Sequence, residues 1–323
     1  MPQRSTRALT EAGLLVGLTV VLSLVGTYVP ILSAVALLLW PVPIAYLGVR
    51  YGMRWSLLAT VATLFILTLF TGPVAAAGIG LTFGSMALTL GEGFRQKWSA
   101  GRILTVATIV FLLGFGIQFL LSFYVMGVNV FALYEDAMRQ STEQAFRTLE
   151  GMGYNSIDLA EAKSQYLAQQ AQIRQVAPFI VVSAGLLLSY LDIVIARAIL
   201  RRLQIDLPKF PPVAEWEMPR AALYLYVFAL LLGWFGPQYF PQLPVEIAMN
   251  IQVAAMYLIW LQGIAVVFWW ARRHPRLAFM RWVIVIGSFI IPTFLGFLFL
   301  IGLIDMGINY RKRKGYTPTN GIS

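Results

Sequence analysis

One recurrence constrains this chain more than anything else in it. From the N-terminus to about residue 310, uninterrupted apolar stretches follow one another, each close to the roughly 20 residues a helix needs to cross a ~30 Å hydrocarbon core. Inside a bilayer, backbone N–H and C=O groups must find partners within the spanning structure, which leaves helices or a closed barrel. Barrel strands would read as short alternating segments, and these runs do not alternate. With 59% of residues hydrophobic and 12% charged, the chain carries about half the charge of an ordinary soluble domain. The fold class is therefore all-α, a polytopic transmembrane helical bundle.

Spans are expected at 9–28, 31–49, 54–72, 74–92, 103–126, 177–200, 221–236, 246–271 and 282–309. Basic residues sort to one side of them: Arg50 and Arg54, then Arg95, Lys97 and Arg102, then Arg197 to Arg220, then Arg272 to Arg281. On the other side "GTYVP", "FTGP" and "GPQYFPQLP" carry no Lys or Arg. The positive-inside rule then places the N-terminus on the cytoplasmic side. The same sorting accounts for the net charge of +10 without nucleic acid. The first run reads as a retained helix, because it continues into Pro30 and a second span without a small-residue cleavage site. The last run would be about 45 Å long as one helix, and nine straight crossings would leave the basic "NYRKRKGY" outside. A break at Pro292 would return that tail to the cytoplasm as a hairpin, and the charge rule leans that way.

This divides the chain into 1–126, the first five helices; 127–176, a polar external insert; 177–220, a sixth span with an inner loop; 221–310, further spans; and 311–323, a basic tail. The insert reads as two amphipathic helices joined by "GMGYN", with Leu133, Ala137, Leu159, Tyr166 and Ile173 at helical spacing. They would cap a cavity or lie on the membrane surface. The loop "RRLQIDLPKFPPVAEWEMPR" has too many prolines for one helix. It is a rigid linker along the headgroups or a docking surface for a soluble partner.

Enzymatic chemistry finds little to work with. Cysteine is absent, so disulfides, thiolate metal sites and cysteine nucleophiles are excluded. The lone histidine, His274, sits in "ARRHPR" and reads as a solvated loop residue. No Walker lysine motif, dinucleotide glycine pattern or metal-ligand cluster is present. A non-enzymatic role with no catalytic residue, metal or cofactor is expected.

Polar groups within spans are costly and are functional candidates by default. Asp192 and Asp305 are the intramembrane ionisable pair. Each has a plainer reading as an interfacial ion pair, Asp192 with Arg197 and Asp305 with the basic tail, as Glu92 has with Arg95. Gln118, Ser122, Asn250 and Gln252 share an outer depth and form the candidate ligand-binding set, unless they only bridge helices, at about 0.6 kcal/mol each. Near the inner end of the first span, "RALTEAGLLVGL" spaces Ala8 and Ala12 four residues apart. Small residues so spaced let another helix approach closely, which makes Ala8 and Ala12 a partner-docking face with Glu11 at its edge. Gly13 and Gly17, on the other side, would serve packing within the bundle. Ordinary packing at Ala8 and Ala12 is the competing reading.

The segments "ALTEAGLLVGLTVVLSL" and "PVPIAYLGVRYGMRWSLLATV", with the glycine-rich fourth span, resemble the substrate-binding S-components of energy-coupling-factor transporters. Over nearly its whole length, with landmarks "RRLQIDLPKFPPVAEWEMPR", "LQGIAVVFWW" and "GLIDMGINYRKR", the chain more closely resembles the YybS-like bacterial membrane proteins of unknown function. The resemblance implies an S-component-like six-helix N-terminal core plus extra C-terminal spans. It also implies a pocket open to the outside and a coupling subunit with an ATPase pair, docked through Ala8 and Ala12. The insert and added spans depart from a simple S-component, and the scarcity of polar groups favours a small apolar or amphipathic ligand, such as a membrane lipid. Two functions stay open: a substrate-binding or transport subunit working with a partner, and a membrane scaffold or sensor without transport.

Overall fold

A computed structural model of the protein describes residues 2–153, 156–203, 205, 211–239 and 245–313. Every regular element among them is helical. Tyr154 and Asn155 of the insert's turn, most of residues 204–210 in the proline-rich loop (Lys209 included), residues 240–244 and the tail beyond Arg313 lie outside the described residues. The chain forms two compact units, Met1–Tyr166 with Val181–Lys209, and Leu167–Ile180 with Phe210–Ser323.

The first unit contains α1 (Pro2–Tyr28), α2 (Pro30–Leu39), α3 (Pro41–Tyr51), α4 (Met53–Thr71), α5 (Pro73–Ile79), α6 (Ser85–Arg95), α7 (Ala100–Met126) and α8 (Val130–Gly151). It also holds parts of α9 (Ser156–Gln175) and most of α10 (Ala177–Arg202). α2 and α3 form one span, interrupted at Trp40 because Pro41 and Pro43 bring no N–H donor. The Trp40 side chain is fully buried and its indole N–H donates to Ser23 Oγ at 2.5 Å. α3 and α6 meet backbone to backbone: a Cβ on Gly48 would lie 2.9 Å from the Cα of Gly91, the close approach that small residues permit in membranes.

α5 and α6 form a second composite span, joined by a π-helical turn at Gly80–Gly84. There Thr82 donates to the Gly78 carbonyl at 2.7 Å and Ser85 to the Leu81 carbonyl at 2.6 Å, satisfying oxygens that the widened turn offers. The turn carries Phe83, whose ring lies 6.4 Å from Trp40 and 6.3 Å from Phe111. The insert forms the two expected helices, α8 and α9. Of its apolar stripe, Leu159 is buried while Leu133, Ala137 and Ile173 stay exposed.

The second unit contains α11 (Ala221–Tyr239), α12 (Val245–Arg273), α13 (Met280–Ile290), α14 (Pro292–Ile308) and the single turn α15 (Tyr310–Arg313), with a 3₁₀ turn at Val213–Glu215. α12 and α14 press together at Gly263 and Gly302, where any Cβ would run into the carbonyls of Leu298 and Ile259.

The last apolar run is not one helix. α13 and α14 are bent by 114°, with Ile291 extended and Pro292 opening α14, as the missing donor and the steric demand on the preceding residue require. Of the nine expected spans the last is thus broken at Pro292, the way the charge rule leans. Among the described residues, seven helices are long and apolar enough to span, Ala221–Gly236 is a shorter apolar helix, and the last segment is a bent pair. Large apolar side chains such as Phe65, Leu69, Tyr124 and Trp234 are exposed, a surface suited to lipid and not to water.

Candidate functional site

At the start of α1, Ala8 and Ala12 are 2% and 8% exposed, turned into their own bundle, and Ala12 joins the cluster around Trp40 and Leu47. Gly13 and Gly17 face outward, with nothing within 4 Å of an added Cβ. The alanine face is covered by the chain itself, as the packing reading of Ala8 and Ala12 has it, while the glycine face, expected to pack within the bundle, is open. The reason is geometric, since α1 turns Ala8, Ala12, Val16 and Thr19 to one side, and that side is also its larger apolar contact. Glu11 sits at the edge, paired with Arg7 at 3.1 Å and with Arg50 of α3 at 3.2 Å. Its carboxylate joins the starts and ends of two helices that would otherwise bring uncompensated cations together.

The outer polar set divides between the units. Gln118 is half-buried and lies over Gly78, whose missing side chain makes room for it. Ser122 is half-buried, and its carbonyl accepts the N–H groups that close α7 at Gly127 and Val128. Asn250 is fully employed: its Oδ1 accepts from Phe179 N–H at 3.0 Å, and its Nδ2 donates to the carbonyls of Gln175 and Glu246, each at 2.7 Å. It ties α12 to the joint between α9 and α10, where backbone groups leave the helical pattern. Gln252 is half-buried on the same helix. His274 is exposed and stacks on Trp270 at 4.6 Å.

The densest polar arrangement among the described residues is a knot in the second unit. Asp305, near the end of α14, is 5% exposed; Arg311 is 2% exposed and Gln262 of α12 5%. Arg311 donates through its Nε to Asp305 Oδ2 at 2.9 Å and through its backbone N–H to Oδ1 at 2.9 Å. Its Nη1 and Nη2 donate to the carbonyls of Ala214 at 2.9 Å and Trp216 at 2.8 Å. Gln262 donates to Asp305 at 2.7 Å and accepts from Met218 N–H at 2.8 Å. Around this centre, Lys312 pairs with Glu217 at 3.2 Å, Arg272 with Glu215 at 3.1 Å, and Arg220 donates to Asn309. A buried ion pair is tolerable only when its remaining donors and acceptors are met, and here the guanidinium meets them on three sides.

The knot explains local structure as well. Asn309 takes the left-handed conformation (φ 53°) that ends α14 and turns the chain so that Arg311 comes back beneath Asp305. The proline-rich inner loop is not free: Pro211–Arg220 is held by carbonyls, ion pairs and the Trp216 indole, which donates to Pro211 at 3.0 Å. Beside the knot lies a cleft of about 70 Å³ lined by Glu217, Arg220, Asn309 and Lys312 among others. It has room for a water or two, far below the size of an organic ligand pocket.

Asp305 was legible in the sequence as an ion-pair candidate with the basic tail; Arg311 as its specific partner was not. The usable signal is a carboxylate followed six residues later by an arginine across an Asn that can end a helix. Gln262 carries no such signal, because only the crossing of α12 and α14 brings it to Asp305. Asp192 behaves differently. It is 1% exposed, and neither carboxylate oxygen has a hydrogen-bond partner, so the expected pair with Arg197 is not formed.

The sequence profile of the family described as "Predicted membrane protein (DUF2232)" matches residues 17–306, which takes in the inner loop, Gln262 and Asp305. The uncharacterized protein YybS of Bacillus subtilis is 25% identical over 318 residues, covering 96% of this chain and 99% of that protein. No solved structure matches the chain.

Proposed function

The chain belongs to the DUF2232 family of predicted membrane proteins, and on that premise we propose that it is a binding or transport subunit of the bacterial cytoplasmic membrane. It takes a small or amphipathic ligand, lipid included, works with a partner protein, and performs no enzymatic chemistry. The observation that carries this reading is the broken last segment. Arg272, before α13, and Arg311, after α14, are both held on residues 214–216, so the segment leaves from and returns to one loop. Broken helices at membrane depth are tolerated where they are buried in protein or line a cavity, and in transporters they mark binding sites. The S-component likeness of the first five spans and the sixth supports an outward-facing pocket, and the scarcity of polar groups in the spans supports the apolar or amphipathic ligand class. Clustering of Arg7, Glu11 and Arg50 at one end of the first unit supports a cytoplasmic N-terminus. A coupling subunit with an ATPase pair stays part of the proposal, with Glu11 at the rim of its contact and Ala8 and Ala12 acting from within the bundle.

One observation favours the second reading, a scaffold or sensor. Asn250, a member of the expected ligand set, spends all its hydrogen bonds on the protein, as a packed outer half would require. Purification in mild detergent at endogenous expression, with mass spectrometry of co-purifying proteins and of retained small molecules, separates the two. A retained amphipathic molecule, or an ATPase pair with a coupling subunit, is the expected result. A ligand-free chain held in some other membrane complex would hand the field to the scaffold.

A further inference from the structure

Asp192 is the one described carboxylate that is nine-tenths buried and lacks any hydrogen bond. It lies on the inward face of α10 with Gly185, Ser189, Ile193 and Ala196. That face is packed on α6 and α7: Gly185 lies against Phe111, and Ser189 donates to the Met86 sulfur at 3.4 Å. Met86, Ala107 and Phe111 form the apolar cluster there, with Leu188 packed on it. From the level of Gly185, Asp192 lies about 10 Å further along the helix, at a rise of 1.5 Å per residue. The carboxyl is therefore well inside a span of Ala177–Arg202, more than a turn short of its basic end.

Among the described residues, no charged or titratable group of the packed elements hydrogen-bonds to Asp192. Glu92 is paired with Arg95, and Arg102 lies over the Trp98 ring at 4.2 Å. On α10 itself, neither Tyr190 nor Arg197 bonds to either Asp192 oxygen. An ionised carboxylate without a counter-charge in such a place is strongly disfavoured, so something must neutralise it. A metal cation would need several oxygen ligands. One turn either side of Asp192 on its own face, the side chains are Leu188, Ser189, Ile195 and Ala196, and Ser189 alone brings oxygen.

We propose that Asp192 is an intramembrane proton-binding site, carrying its proton as a neutral carboxylic acid within the α6, α7 and α10 packing. A single proton satisfies the group at no cost in further ligands. This rests on the chain spanning the membrane and not on the ligand reading, so the two can fail separately.

The test is chemical labelling of the full-length protein in liposomes with dicyclohexylcarbodiimide, a membrane-soluble carbodiimide, beside a water-soluble carbodiimide. The acid's proton passes to a carbodiimide nitrogen and its oxygen bonds to the carbodiimide carbon; the O-acylisourea then rearranges to a stable N-acylurea, retaining every atom. Peptide mass spectrometry should find the Asp192 peptide labelled by the apolar reagent at least tenfold more than by the soluble one, with the adduct gone in Asp192→Asn. Equal labelling by both reagents would mean a carboxyl open to water, not one enclosed in the helix packing, and overturn the proposal. Protection by sodium at constant ionic strength would reassign the site to a metal cation. Absence of labelling could come from steric exclusion, so infrared difference spectra of wild type and Asp192→Asn decide it: a neutral carboxylic carbonyl band lost in the variant sustains the proposal, and a lost carboxylate band ends it.

Discussion

Arg311 and Asp305 show why a buried ion pair is informative at the level of single residues. Two charges removed from water are costly unless the whole hydrogen-bonding capacity around them is used, and here backbone carbonyls of the inner loop and Gln262 complete it. Truncating one partner leaves the other buried and unpaired. Arg311→Ala or Asp305→Ala alone should destabilise by about 3–5 kcal/mol, read as a large drop in melting temperature in detergent. The joint Asp305→Leu and Arg311→Met change should recover much of that loss. Single variants that melt with the wild type would show that the knot does not form. The pair between Glu11 and Arg50 is partly exposed, so Glu11→Gln should alter stability by no more than about 1 kcal/mol. Asn250→Leu strands the Phe179 N–H and the Gln175 carbonyl, at a cost of about 1–3 kcal/mol.

At the scale of elements, small residues decide which helices meet. Gly263→Leu would drive a side chain into the Leu298 carbonyl, and overpacking of about 1–3 kcal/mol or more should lower the melting temperature. Gly296→Leu, with open space around it, should be tolerated. The same contrast separates Ala8→Leu, which should damage the bundle, from Gly17→Leu, which should not. Loss of partner binding in an Ala8 variant therefore counts only if its melting temperature is unchanged. The sequence showed where helices run because apolar length and proline position act locally. It did not show which face of α1 turns inward, since alanine and glycine pairs of equal spacing both permit close approach and only the neighbouring helices choose between them.

For the whole molecule, the absence of cysteine allows topology to be read without background from single introduced thiols. Arg276→Cys and Arg313→Cys, both exposed natively, should react with a membrane-impermeant maleimide from the same side, because α13 and α14 begin and end at one loop. Reaction from opposite sides would make the last segment a full crossing. Lys97→Cys and Met152→Cys, separated by α7, should react from opposite sides. Apolar run lengths, the asymmetry of Lys and Arg, and Pro292 determined by themselves that the chain is a helical membrane protein with a breakable last segment. These are properties of consecutive residues in a solvent that punishes unpaired backbone and charge. Tertiary structure alone decided that the inner loop, the middle of α12 and the end of α14 converge on Asp305 and Arg311, and that Asp192 is left unpaired. Those outcomes depend on how helices cross, and a crossing is set by contacts between residues tens of positions apart.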